Sequence, residues 1–290
     1  MPAKAKIALC EPHREETGRY FSVRLKQHHY AEPTEFEIPK KMLIVNNILK
    51  DFRSLRRFLL KYEIIDAAYN WTFGEGHLVI AGNCFKENKI NIECLWLIYA
   101  LEQKAQFCGG YVHFILGKNE ISNIDGSWQF VHPNYANSQK TLKVPYVVLY
   151  DGNRELKRWL QTKNVIEKIG KILISNVDIS GVFSDQDLSF TQLNTLVRRH
   201  YSGVKNTYSP SLISNIFDNS SEVNILPQEA NTIPRNLIAK KVAGLAYIYT
   251  SGEGGAENRS DVLLIRNKRF FRVNSEGRYE RVHLNTLTAQ

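Results

Sequence analysis

Residues 77–116, HLVIAGNCFKENKINIECLWLIYALEQKAQFCGGYVHFIL, decide how the rest of the chain is read. His77 to Ala81 has the short, β-branched, apolar composition of a strand, and Ile92 to Gln106 is long enough and apolar enough for a helix. Gly109-Gly110 then opens a second strand, Tyr111 to Leu116. Strand, helix, strand is the grammar of an α/β layer. Just upstream, Ile48, Leu49, Phe52, Leu55, Phe58 and Leu59 recur at helical spacing from an Asn46 start, with Lys50, Arg53, Arg56, Arg57 and Lys61 between them. This predicts an amphipathic helix with a basic outer face. The first forty residues are polar and read as an irregular or strand-containing segment.

Downstream, Asp125-Gly126 turns into a strand over 127–131, and residues 144–150 read as a buried strand that stops at Asp151-Gly152. Leu156, Trp159, Leu160, Val165, Ile166 and Ile169 predict a helical stripe, followed by a strand over 171–177. The last hundred residues differ in pattern. A helix is expected around Leu193, Leu196 and Val197, a short one at 211–216, and a third from Pro234 that carries Leu237, Ile238, Val242 and Leu245. Two strands follow, Asp261 to Arg266 and Arg269 to Val273, with Asn267-Lys268 at their turn. Three helices and a hairpin are the order of a winged-helix unit. The expected fold class is therefore α+β: an N-terminal mixed α/β domain over 1–180, then a helical segment over 181–290 ending in a basic β-hairpin.

The 290 residues hold 38 Lys and Arg against 29 Asp and Glu, a formal charge of +9. That imbalance points to a polyanionic partner. No apolar run approaches the roughly 20 residues of a bilayer-spanning helix, and no secretory h-region follows Met1. With four cysteines lacking a CxxC pair, a soluble chain with reduced thiols is expected, cytoplasmic or nuclear. No internal repeat, GxGxxG or GxxxxGK[ST] motif is present, so arrays, ATPases and dinucleotide enzymes are excluded.

The hairpin is the most informative local feature. Arg266, Lys268, Arg269, Arg272, Arg278 and Arg281 alternate with Phe270, Phe271 and Tyr279, and cations beside flat apolar rings suit phosphates and bases. An antiparallel edge whose arginines only keep it soluble has the same composition. Lys240 and Lys241 would face a groove if the winged-helix order holds, and Arg53 and Arg57 form a second basic surface. The leading expectation is DNA or RNA binding through Lys240, Lys241, Arg266, Lys268, Arg269, Phe271, Arg272, Arg53 and Arg57. The alternative is a nuclease in which Asp66, Glu87 and Lys89 hold Mg²⁺ and position water. A viral or mobile-element assembly protein is the third class.

Other clusters have bland explanations. Cys10, His13, His28 and His29 lack the paired ligand spacing of a structural zinc site. Asp151 and Asp178 close strands, where Asp commonly caps a turn. His113, alone in a strand, is expected to be packed and hydrogen-bonded.

Overall fold

Lys41-Met42-Leu43-Ile44-Val45 is apolar without alternation after its first residue, the pattern of a strand covered on both faces. In the computed structural model, which describes residues 4–8, 20–45, 52–82, 92–117, 120–121, 155–175, 188–202, 237–242, 245–250, 262–273 and 278–282, this segment is a central strand. Two sheets dominate. One has six strands in the order β13(Tyr279–Val282), β12(Arg269–Val273), β11(Val262–Arg266), β4(Lys41–Val45), β5(His77–Ala81), β6(Tyr111–Ile115). The other has five, in the order β3(Glu35–Phe36), β7(Ile166–Ile169), β8(Ile172–Ser175), β10(Leu245–Thr250), β9(Leu237–Val242). A separate ribbon pairs β1(Lys4–Ala8) with β2(Tyr20–Arg24).

Alternation of side chains along each strand builds two cores from one sheet. Met42, Ile44, Val79, Ala81, Ile115, Leu263 and Ile265 form one apolar cluster with Ile169, Ile172 and Ile174 of the second sheet. The opposite face, with Leu43, Val45, Leu78, Ile80, Val112 and Phe114, packs with residues of α1(Phe52–Lys61) and α2(Ile92–Phe107). Helix α2 is buried around most of its circumference, including Glu93 and Glu102, whereas α1 keeps Arg53 and Arg57 in solvent and buries Phe52, Leu55 and Leu59. Two further helices follow, α3(Glu155–Leu160) and α4(Phe190–Tyr201), the latter started by a capping box between Ser189 and Gln192.

Strands β4, β5 and β6 run parallel, so their carboxyl ends share one edge. At the other edge two glycine turns meet. The Tyr111 N–H donates to the Gly76 carbonyl, and Gly110 approaches so closely that a Cβ there would lie 2.4 Å from the Gly74 oxygen.

Several expectations need correction. The winged-helix order is not present: residues 237–242 form β9, antiparallel to β10, rather than a recognition helix. Leu237, Ile238 and Val242 fit either period, and cross-strand pairing with Leu245–Thr250 decides between them. The stripe from Leu156 does not continue as helix either; it ends at Leu160 and resumes as β7. The C-terminal hairpin does form, but as β11 and β12 beside β4 of the central sheet. Residues 125–131, 144–151 and 211–232 lie outside the described residues.

Candidate functional site

In a parallel sheet, ligands gather beyond the carboxyl ends of the strands, where loops converge. Here β4 ends at Val45, β5 at Ala81 and β6 at Ile115. The Gly82 N–H donates to the Ile115 carbonyl at 2.9 Å, locking the ends of β5 and β6 together. Beyond β6, the Gly117 N–H donates to the Glu120 carboxylate at 2.8 Å, and Glu120 is fully buried. That carboxylate therefore closes its own turn. The residues that come next in the sequence are Asn46-Asn47 after β4, Asn83 after Gly82, and Lys118-Asn119 after Gly117. These are amides and an ammonium, all able to donate hydrogen bonds to an anion. Among the described residues, no three His, Cys, Asp or Glu side chains form a group that could hold a metal ion.

A second polar assembly lies inside the fold and ties the segment at 26–35 to the helices. Lys163 is buried, with its ammonium 2.5 Å from Glu102 and 2.7 Å from Glu32. Burial works against its charge, yet the two carboxylates hold its pKa above the ordinary lysine value. Glu32, likewise penalised by burial, is kept below the usual carboxylate value by Lys163. Glu102 also accepts from the Trp159 indole at 2.8 Å and from Lys26 at 2.8 Å. The Tyr111 hydroxyl donates to Glu32.

Beside it runs a chain of imidazoles. His113 in β6 sits 2.5 Å from Glu167 through Nδ1 and 2.9 Å from His77 through Nε2. Burial, then the neighbouring His113, pushes the His77 pKa down to about 4. Asn164 donates to the other Glu167 oxygen at 2.9 Å and accepts from Arg198 at 2.5 Å. His113 is thus packed and hydrogen-bonded, as its solitary place in a strand implied.

Of the residues proposed for nucleic-acid and Mg²⁺ chemistry, those the structure describes lie on α1, in the loop after it, on β9 and on the β11–β12 hairpin. Asp66 accepts from the Ala68 and Asn70 N–H groups and from the Asn70 amide, so it caps a surface turn. Those bonds hold its carboxyl below the usual range. Glu87 and Lys89 lie outside the described residues, as do Cys10, His13, Asp125, Asp151 and Asp178. His29 bonds to Glu155 at 3.0 Å. Lys240 and Lys241 are on β9, while Arg53 and Arg57 remain on the exposed face of α1. Arg266, Lys268 and Arg269 are exposed at the tip of the hairpin, and Phe271 is half-buried. Arg272 lies in β12 opposite Glu280.

The two facing sheets with outer helices decide the comparison. Over 90% of this chain and 86% of the other, they superpose on a variant of a cold-active protein tyrosine phosphatase with a TM-score of 0.74, at 24% identity. The fold is similar to that of a tyrosine phosphatase. A second structure of a cold-active protein tyrosine phosphatase matches over 90% of this chain and 83% of that one, with a TM-score of 0.73 and 25% identity. The enzyme of a psychrophilic Shewanella species matches over 94% and 89%, with a TM-score of 0.73 and 24% identity. In sequence, 98 residues are 26% identical to Shewanella-like protein phosphatase 2 of Arabidopsis thaliana, covering 34% of this chain. The match spans a quarter of that relative's length. No family model matches.

These findings overturn the expectation of a DNA- or RNA-binding protein, and with it the nuclease and assembly-protein alternatives. The physical reason is topological. Basic residues that read locally as a nucleic-acid hairpin belong to strands completing a phosphatase-like sheet, and the intended recognition helix is a strand. Among the described residues, no helix is long and apolar enough to cross a membrane.

Proposed function

We propose that this protein recognises phosphorylated protein, taking the phosphate beyond the carboxyl ends of β4, β5 and β6. The observation behind this reading is the phosphatase-like fold, which extends over nine-tenths of the chain. Anion binding also suits the donors that follow those strands in the sequence, Asn46, Asn47, Asn83, Lys118 and Asn119.

Hydrolysis asks for more than a phosphate cradle. A phosphomonoester is cleaved by a metal-activated water or by a strong nucleophile such as a thiolate. Hard divalent cations need carboxylates, and softer ones need imidazole or thiolate. The amide and ammonium side chains that directly follow β4, β5 and β6 do not supply this, Glu120 is already engaged by its own turn, and Cys84, next after Asn83, lies outside the described residues. Of the described thiols, Cys94 is buried in α2 and Cys108 lies three residues before β6 begins, at the opposite edge of the sheet from the strand carboxyl ends. The reading is therefore recognition of phosphate with little or no turnover. A cytoplasmic location belongs to the same proposal and rests on these free thiols.

The test pairs binding with turnover. The full chain is titrated with a phosphotyrosine peptide and its unphosphorylated twin by calorimetry in EDTA, and phosphate release is followed with Mg²⁺, Mn²⁺ or Zn²⁺. The expected outcome is preference for the phosphopeptide, about tenfold loss of that preference in Lys118→Ala, and release at the buffer rate. Equal affinity for both peptides overturns the proposal. Metal-dependent release overturns its non-hydrolytic part, leaving a phosphatase.

A further inference from the structure

The hairpin between β11 and β12 is closed by two residues in the left-handed region, Asn267 at φ +49° and Lys268 at φ +62°. A turn with positive φ at both central positions favours Asn followed by Gly. Here the second position holds a lysine, which pays a steric cost of roughly 1 kcal/mol for that conformation. The Asn267 N–H is also anchored, donating to the Lys40 carbonyl at 3.0 Å. A strained, fixed turn thus presents an exposed cation where glycine would fold more easily.

That cation has company. Arg269 is paired with Arg266 across the hairpin, and Arg266 with Lys41 across β11 and β4. Directly paired residues project to the same face, so three cations form a row with strand spacing of about 4.8 Å. Lys40 extends it into solvent. Glu75, 3.9 Å from Lys40, and Glu63, near Lys41, are the carboxylates that bear on the group. Among the described residues, no carboxylate lies within ion-pair distance of Arg266, Lys268 or Arg269. Burial, then the charge of Arg266, lowers the Lys41 pKa, as crowded like charges do. Rings border the row: Phe73 lies 3.8 Å beneath the Lys41 ammonium, and Phe271 is half-buried beyond Arg269.

We propose that Lys40, Lys41, Arg266, Lys268 and Arg269 form a docking surface for an acidic segment of a partner protein. This deepens the phosphoprotein reading and rests on it for the class of partner. Because Lys41 begins β4 and Val45 ends it, the surface lies about 13 Å along the strand from the phosphate crevice. A single partner occupying both places needs its carboxylates at least about four extended residues from its phosphate.

Fluorescence anisotropy of a labelled glutamate-rich peptide, with the glutamine analogue as control, tests this on the full chain at low ionic strength. The glutamate peptide is expected to bind and to weaken as salt rises. Arg266→Glu with Arg269→Glu should reduce its affinity at least tenfold. Lys268→Gly should weaken it severalfold while raising the Tm by a few degrees, a pairing that a merely structural lysine would not produce. Equal binding of the glutamine peptide, or unchanged affinity in both variants, overturns the docking surface. So does a single-stranded oligonucleotide that binds more tightly than the glutamate peptide at equal charge. A short phosphotyrosine peptide without acidic residues is measured in parallel. Its failure to bind, with the glutamate peptide still bound, sinks the phosphate reading and leaves the surface standing; the reverse pattern does the opposite.

Discussion

Replacing Lys163 by methionine removes one charge from the middle of the buried network while keeping the side chain's length. Glu102 and Glu32, held 2.5 and 2.7 Å from the ammonium, would then face each other with Lys26, in ion-pair contact with Glu102 and acting on Glu32 from farther away, as the remaining cation. Breaking a buried pair from one side costs about 3–5 kcal/mol, because the remaining charge stays desolvated. For a chain of this size that corresponds to a fall in Tm of roughly 5–8 °C. Urea unfolding followed by tryptophan fluorescence reads it, and Trp159 reports directly since its indole donates to Glu102. The loss should depend on pH in a defined sense. Glu32 has a folded pKa below its ordinary 4.5, so its stabilisation is present above that value and is lost as pH falls through the lower folded one. Lys163, raised in the folded state, contributes below its ordinary 10.5 and loses that contribution only at higher pH. The gap between wild type and Lys163→Met should therefore be widest near neutrality and narrow as the variant's unpaired carboxylates protonate in acid. Adding Glu102→Gln to Lys163→Met should recover part of the loss. A penalty under about 1 kcal/mol at pH 7, or a gap that widens in acid, would refute this account of the network.

Two further substitutions probe the fold at other points. His77, with a folded pKa of about 4 against 6.5 unfolded, is held neutral, so the protein should lose stability as pH drops between those values. His77→Asn should flatten that part of the stability profile, and an unchanged slope in urea titrations would count against it. Gly110→Ala places a Cβ against two backbone oxygens, Gly74 at 2.4 Å and Gly76 at 2.7 Å, and should cost roughly 2–4 kcal/mol. Gly109→Ala, at φ +76° with only the Glu75 side chain nearby, should cost less; thermal melts showing the opposite order would sink the close-approach argument.

Much of the local structure was legible because period alone carries it. Phe52, Leu55 and Leu59 share one face of a helix whatever they pack against, and Asn267-Lys268 between two apolar runs reads as a hairpin. Lys41 to Val45 is less legible than the equally short His77 to Ala81 because no glycine brackets it, so its unbroken apolar run merges with the helical pattern that begins at Asn46. Residues 165–169 extended a helical stripe plausibly, and only pairing of β7 with β8 and β3 makes them strand. The site was less legible still. Glu32, Glu102 and Lys163 are separated by 61 to 131 positions, and no local spacing marks them as partners. The amide and ammonium residues beyond β4, β5 and β6 gain meaning only once those strands are known to be parallel neighbours.

By itself the sequence determined the element types wherever side-chain periodicity is strong, the basic hairpin, and the packed character of His113. These follow from short-range sterics and from the partition of apolar groups away from water. Only the tertiary structure decided that the hairpin joins β4, that residues 237–242 are a strand, and that a lysine and two glutamates meet in the interior. The hairpin's place beside β4 and the buried lysine–glutamate group depend on contacts between segments far apart in the chain, which no window of neighbouring residues contains, and residues 237–242 become strand by pairing with β10, itself held by the distant β8.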